Sequence, residues 1–451
     1  MRSSAAGLLG LLLLAGACSD STQPETPARL RITDGDRQTG AVGRRLPRPL
    51  EVTARTSDGS PAPGVTVRWH AEINGEVDRA TSVTDRSGRA SAWFTLGAQE
   101  GVAAATARTE LDSAPFLLEA RVGPPPEELP YGEIRVLAIS TFDGSGQTVH
   151  PDHLLHDAPG FGFPRHLAIT PYPFGDARKE LPSVFAGDGL LDWAVEPGAP
   201  DPVVANAPTG HMSDPDLLYV DDVGEIWMYY RHVTSRNIIN LIRSSDGRSW
   251  SEPVEVVSAP NHGIISPAVV RRGPEDWWMW YIDAGSAGCS GSSTTVTVRR
   301  SSDGIAWGPP QPLAMSHEGM HPWHIEVQWI PEREEFWALY NSKHPGGCTT
   351  PAVFLAVSAD GITWEHVRSP VLAKGGHPDL MDIVYRGTFL YDDARGDVTF
   401  WHSGATYREG RYVWRSAVQR LRLSDLLGLA SRDDPGLADL PPAPAPLVEW
   451  P

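Results

Sequence analysis

Trp193, Trp250, Trp307 and Trp364 stand 57 residues apart, so a long part of this chain repeats one structural unit. Three of them close the same local pattern, Asp246-Gly-Arg-Ser-Trp250, Asp303-Gly-Ile-Ala-Trp307 and Asp360-Gly-Ile-Thr-Trp364; the run from Asp188-Gly189 to Trp193 is one residue longer. Asp accepts backbone N–H bonds across a turn, Gly takes a positive φ, and the Trp packs between neighbouring sheets. Two strand-like runs precede each turn: Leu217 to Val220 and Ile226 to Arg231, Ala268 to Arg271 and Trp277 to Ile282, Val327 to Ile330 and Phe336 to Asn341. A last copy runs from Ile383 to Tyr391 and Val398 to Ser403, which makes five units if Val149 to Trp193 is the first. Units of this length close into a five-bladed β-propeller, since an open stack would leave exposed edges.

The rest of the chain divides at composition changes. Arg2, an apolar run from Ala5 to Ala15 and then Cys18 describe an export signal too short to span a bilayer. Residues 19–28 form a tether. Residues 29–122 alternate in short runs (Leu50, Val52, Ala54; Val65, Val67, Trp69; Ala90, Ala92, Phe94), which predicts a β-sandwich. A Pro-rich linker (123–130) leads to the propeller (131–433), and a Pro-rich tail (434–451) follows. The fold class expected is therefore all-β. A net charge of -18 excludes nucleic acid as a partner, because phosphate binding needs clustered Lys and Arg.

In a propeller the inner strand of each blade opens toward the central funnel. Aligning the units puts His150-Pro151-Asp152, Asp214-Pro215-Asp216, Ser266-Pro267, Glu326-Val327 and Asp382-Ile383 at that opening. His150, His211, His262, His321, His324 and His377 all fall at or just before it. Imidazoles and carboxylates in one funnel suit sugar binding. They also suit a divalent cation, although no compact ligand spacing marks one, and the expectation is no metal and no cofactor. Cys289 and Cys348 follow the same strand of adjacent units, which makes a disulfide between them feasible in an oxidising compartment.

Three resemblances refine this reading. Leu14-Ala-Gly-Ala-Cys18 resembles a bacterial lipobox and implies acylation at Cys18, with the protein exported and lipid-anchored at the outer membrane or cell surface, or alternatively periplasmic or secreted. Asp58-Gly-Ser-Pro-Ala-Pro-Gly64 before Val65 to Trp69, and Thr84 to Ala90 before Thr95-Leu-Gly97, resemble bacterial Ig-like domains of the invasin and intimin type, which serve as spacers. Ser213-Asp214-Pro215-Asp216-Leu217 resembles the first-strand motif of the five-bladed family 43 glycosidases. That resemblance implies Asp214 as general base, Glu326 as general acid and Asp382 as the carboxylate that tunes it. The register of the strand openings and this resemblance together make His150, Asp152, His211, Asp216, Tyr230, Arg231, Ser266, His321, His324, Tyr385 and Arg386 the expected contacts to a glycan. The function expected is a surface glycoside hydrolase. The alternative is a silent propeller that binds glycan or protein at the same funnel.

Overall fold

A computed structural model describes residues 29–429, except 47, 122–128, 157, 159–160, 197, 205–208 and 317–318. Cys18, the export signal, the tether, most of the linker and the tail lie outside the described residues.

Two antiparallel-rich sheets built from residues 29–121 face one another. One joins Arg29–Asp34, Leu50–Arg55 and Arg89–Ala92; the other centres on Thr66–Ile73, Gly101–Arg108 and Ser113–Arg121. Their alternating apolar residues meet in one core around Leu50, Val52, Trp69, Phe94 and Phe116.

Five further sheets follow among the described residues. Their inner strands are Thr148–Leu155, His211–Val220, Ile265–Gly273, His321–Ile330 and Ile383–Asp392. Each packs against the next, and the fifth packs against the first, so the sheets form a closed ring of five blades. Closure uses an element the repeats did not announce. The short strand Ile134–Val136, first in the ring by sequence, pairs with Arg411–Arg422 and completes the last blade. Both ends of the propeller chain are thereby fastened in one sheet.

The repeated turns also join blades to one another. Oδ1 of Asp246, Asp303 and Asp360 each accepts two backbone N–H bonds, two and three residues ahead. Gly304 sits at φ 71°, where its carbonyl accepts Tyr229 Oη–H from the preceding blade at 2.7 Å. Gly361, also at φ 71°, accepts Trp280 Nε1–H in the same way at 3.0 Å.

Those turns lie at the C-terminal ends of the inner strands, and the N-terminal sandwich docks on that face. Arg45 Nη2 donates to the Asp246 carbonyl at 3.1 Å, and Arg44 meets Asp188 at 3.5 Å. Trp93 lies between two guanidinium groups, Arg45 at 4.5 Å and Arg248 at 3.9 Å from its ring centre. At the opposite face, Cys289 and Cys348 join two loops in a disulfide, with Cα atoms 4.8 Å apart.

Candidate functional site

Near the N-terminal end of every inner strand the pairing register with its neighbour shifts. Such bulges re-aim side chains. In the first three blades the bulged residue precedes a proline and takes a left-handed backbone, with φ 54° at His150, 53° at Asp214 and 50° at Ser266. A non-glycine residue held there is strained by about 1–3 kcal/mol, and such strain concentrates at functional positions. In the fourth and fifth blades the same register brings His324, Tyr385 and Arg386 inward.

The result is two layers of polar groups along the funnel axis. In the upper layer His150, Asp214 and His324 each offer one ligand atom, all within 4.8 Å of one another. Asp214 is fully buried; its Oδ1 lies 3.1 Å from His324 Nδ1 and 3.6 Å from His150 Nε2, and Arg231 Nη1 stands 3.5 Å from Oδ2. Ser266 and Ser213 hydroxyls donate to its two oxygens at 2.8 and 2.9 Å. Burial alone would raise the Asp214 pKa, but His150, His324 and Arg231 outweigh it and hold the group well below the usual carboxylate range. Burial lowers the pKa of both histidines, against the pull of Asp214. Thr170 Oγ1 bonds to His150 Nδ1 at 3.0 Å and so fixes the ring with Nε2 inward. Nε2 of His150 and Nε2 of His324 are both buried without a hydrogen-bond partner. Two neutral imidazoles, one carboxylate and a second residue orienting a ring form a donor set that fits a divalent cation.

The lower layer is two residues further along the same strands. Asp152, Asp216 and Glu326 converge within 4.8 Å around the Arg386 guanidinium. Arg386 donates to the Pro215 carbonyl at 2.9 Å and stands 3.5 Å from Glu326 Oε2 and 3.9 Å from both Asp216 and Asp214. Asp152 accepts the Leu217 N–H at 2.6 Å and Asp216 the Val269 N–H at 2.9 Å, so each carboxylate ties its blade to the next. Burial, then Asp152, pushes the Glu326 pKa up to about 8. The lower layer already contains a cation in Arg386.

Several residues read from the sequence occupy other places. Glu326 belongs to the lower layer, because the strand opens two residues earlier than the alignment assumed. Asp382 joins neither cluster: it precedes its strand, and its Oδ2 accepts the Tyr407 N–H at 2.6 Å. Tyr230 is core and not a sugar contact. Strand alternation turns it into the inter-blade cluster with Phe161, Met212 and Met228, while its neighbour Arg231 faces Asp214. His211 is partly buried in the upper layer, where burial and then Arg231 lower its pKa to about 4. His321 lies at the strand's start, opposite Lys343. Tyr385 closes the upper layer from the side, its ring 4.4 Å from His324 and 5.4 Å from His150.

One buried carboxylate escaped the sequence reading. Glu180 Oε2 lies 3.9 Å from His150 Nδ1, and burial, then the Asp214 charge, raises its pKa well above that of an exposed glutamate. It sits on the connection between the second and third strands of the first blade, outside the register that marked the others.

No family model matches this chain. A curated protein, the A type blood N-acetyl-α-D-galactosamine deacetylase of Flavonifractor plautii, is 25% identical over 325 residues, 61% of this chain and 40% of that protein. The chain thus spans about two fifths of the length of the curated relative it matches. A crystal structure of an N-acetylgalactosamine deacetylase from F. plautii with blood group B trisaccharide superposes with a TM-score of 0.58 at 21% identity, over 63% of this chain and 94% of that one. A structure described as a glycoside hydrolase gives a TM-score of 0.48 at 13% identity, over 63% and 90% of the two chains. The likeness to the deacetylase structure agrees with the all-β, propeller-like fold described above.

Proposed function

We propose that this protein is a carbohydrate-active hydrolase that removes the acetyl group from an N-acetylated sugar, using a divalent cation held by His150, Asp214 and His324. The observation that carries the reading is the upper layer itself: three ligand atoms converge, and His150 Nε2, which faces Asp214, is buried without a hydrogen-bond partner. Similarity to an N-acetylgalactosamine deacetylase supports amide cleavage and an N-acetylated galactosamine as the sugar. A cation in such a site supplies Lewis-acid polarisation of an acyl oxygen and a lower pKa for water.

The chain's own groups do the remaining work. Arg231 and the serine hydroxyls fix the Asp214 carboxylate, and Thr170 fixes His150, so the donors need little rearrangement. Glu180 lies beside His150 Nδ1, behind the ring whose Nε2 turns inward, and with Thr170 sets that ring's orientation; in the reaction a proton passes from the attacking water to the departing nitrogen. Water oxygen bonds to the acyl carbon, the C–N bond breaks, and acetate and a free amino sugar result. Tyr385 packs over the histidines and excludes solvent from that side.

A glycosidase remains the second reading, favoured by one observation: Arg386 touches both Asp214 and Glu326, so these two carboxylates lie in one funnel. In either case the export signal, acylation at Cys18 and an Ig-like identity for the sandwich describe a protein displayed at the bacterial surface. The test is to incubate the full chain with glycans ending in N-acetylgalactosamine and measure acetate and new reducing ends together. Acetate release that Asp214→Asn abolishes supports deacetylation; reducing ends without acetate support the glycosidase; neither product removes both.

A further inference from the structure

We infer that the outermost hairpin tip of the last blade, with Tyr407, Tyr412 and Asp382, is a second sugar subsite that grips a neighbouring residue of the glycan bound at the upper layer. The inference rests on the glycan-acting reading above and extends it to substrate length.

The hairpin is built longer than its sheet. Its strands Asp397–Arg408 and Arg411–Arg422 each have 12 residues. The inner strand begins at Ile383, which pairs with Ala405, so Thr406 to Arg408 and their partners run past it. The overhang is at the N-terminal end of the inner strand, the same end as the His150–Asp214–His324 cluster.

A file of aromatic rings connects tip and cluster. Tyr407 meets Tyr412 at 5.1 Å between ring centres, Tyr412 meets Trp414 at 6.5 Å, Trp414 meets Tyr385 at 5.2 Å, and Tyr385 meets His324 at 4.4 Å. Trp414 lies deep, whereas Tyr385, Tyr407 and Tyr412 are only half-buried. Asp382 stands beside them, tied by its bond from the Tyr407 N–H. The rim is held from the first blade as well: the Gln147 side-chain oxygen accepts N–H bonds from both Trp414 and Phe174, each at 3.1 Å. The Arg411 guanidinium lies 3.6 Å from the exposed Phe174 ring.

A sugar ring has apolar C–H faces and hydroxyl edges, so an aromatic face beside an acceptor-only carboxylate matches both parts of it. A cross-strand tyrosine pair also stiffens a hairpin. Stiffening alone does not call for a carboxylate beside the pair, nor for a ring path that ends at the cluster.

Equilibrium binding of two probes tests this: methyl N-acetyl-α-D-galactosaminide, and an oligosaccharide of four or more residues ending in that sugar, each titrated into the full chain. The oligosaccharide is expected to bind about tenfold tighter than the monosaccharide. Tyr412→Ala and Asp382→Asn should each erase that advantage and leave monosaccharide affinity unchanged. Monosaccharide binding without an oligosaccharide advantage, or an advantage that survives both substitutions, overturns the subsite alone. Failure of the wild-type chain to bind either sugar overturns the glycan-acting reading and the subsite with it.

Discussion

Glu180 and Arg386 are both buried near Asp214, and each leads to a distinct expectation. Glu180→Gln alters the group that supports His150 from behind and leaves the donor set in place, so acetate release should fall roughly 10–100-fold with cation content unchanged. Measuring turnover beside metal content separates this from a ligand loss. Arg386→Met leaves Asp152, Asp216 and Glu326 buried without their cation, and unfolding by urea should show a loss of roughly 3–5 kcal/mol. A loss below about 1 kcal/mol would mean that the lower layer is wetter or more protonated than its burial implies. Single residues were only partly legible in the sequence. His150, Asp214 and Ser266 stand out because a proline follows each; His324 and Arg386 do not share that mark. Glu180 has no sequence signal, because it reaches the cluster through tertiary packing of a connection.

At the scale of the element, the repeated turn was legible because its physics is local. Asp303 and Gly304 satisfy and bend a few consecutive peptide groups, wherever the blade sits. A Cβ on Gly304 would come within 2.8 Å of Tyr229 Oη and 2.9 Å of Trp277, on a backbone that already has a positive φ. Gly304→Ala should therefore cost about 1–3 kcal/mol in thermal or urea unfolding, and an unchanged midpoint would deny the clasp between blades. Inner strands were less legible than turns. Their bulges shift the facing residue by one or two positions, which moved Glu326 into the lower layer and left Asp382 outside both. The Cys289–Cys348 bond ties loops of the third and fourth blades at the site face, closing a sequence separation of 59 residues. Replacing both cysteines with serine should lower stability by up to about 4 kcal/mol.

Across the whole molecule, closure and docking organise the architecture. Five similar sheets could be counted from the period of four tryptophans and the last pair of strand-like runs, but the strand Ile134–Val136 that locks the ring could not, being too short to carry a pattern. The sandwich leaves the site face open, because Trp93 clamps it to the opposite one between Arg45 and Arg248. Arg248 is in turn paired with Glu196 at 2.6 Å. Trp93→Ala removes two cation–π contacts, about 1–3 kcal/mol in all, and should hasten proteolytic release of the sandwich without altering the site. In the proposed chemistry the upper layer, and not the Arg386-filled lower one, holds a cation. Elemental analysis of the chelator-free full chain, equilibrated with a divalent cation such as Zn²⁺ or Mn²⁺ and then freed of excess, tests it most directly. About one equivalent per chain is expected, lost in Asp214→Asn and kept in Asp152→Asn. Equal content in wild type and Asp214→Asn, or no bound cation in either, would contradict it.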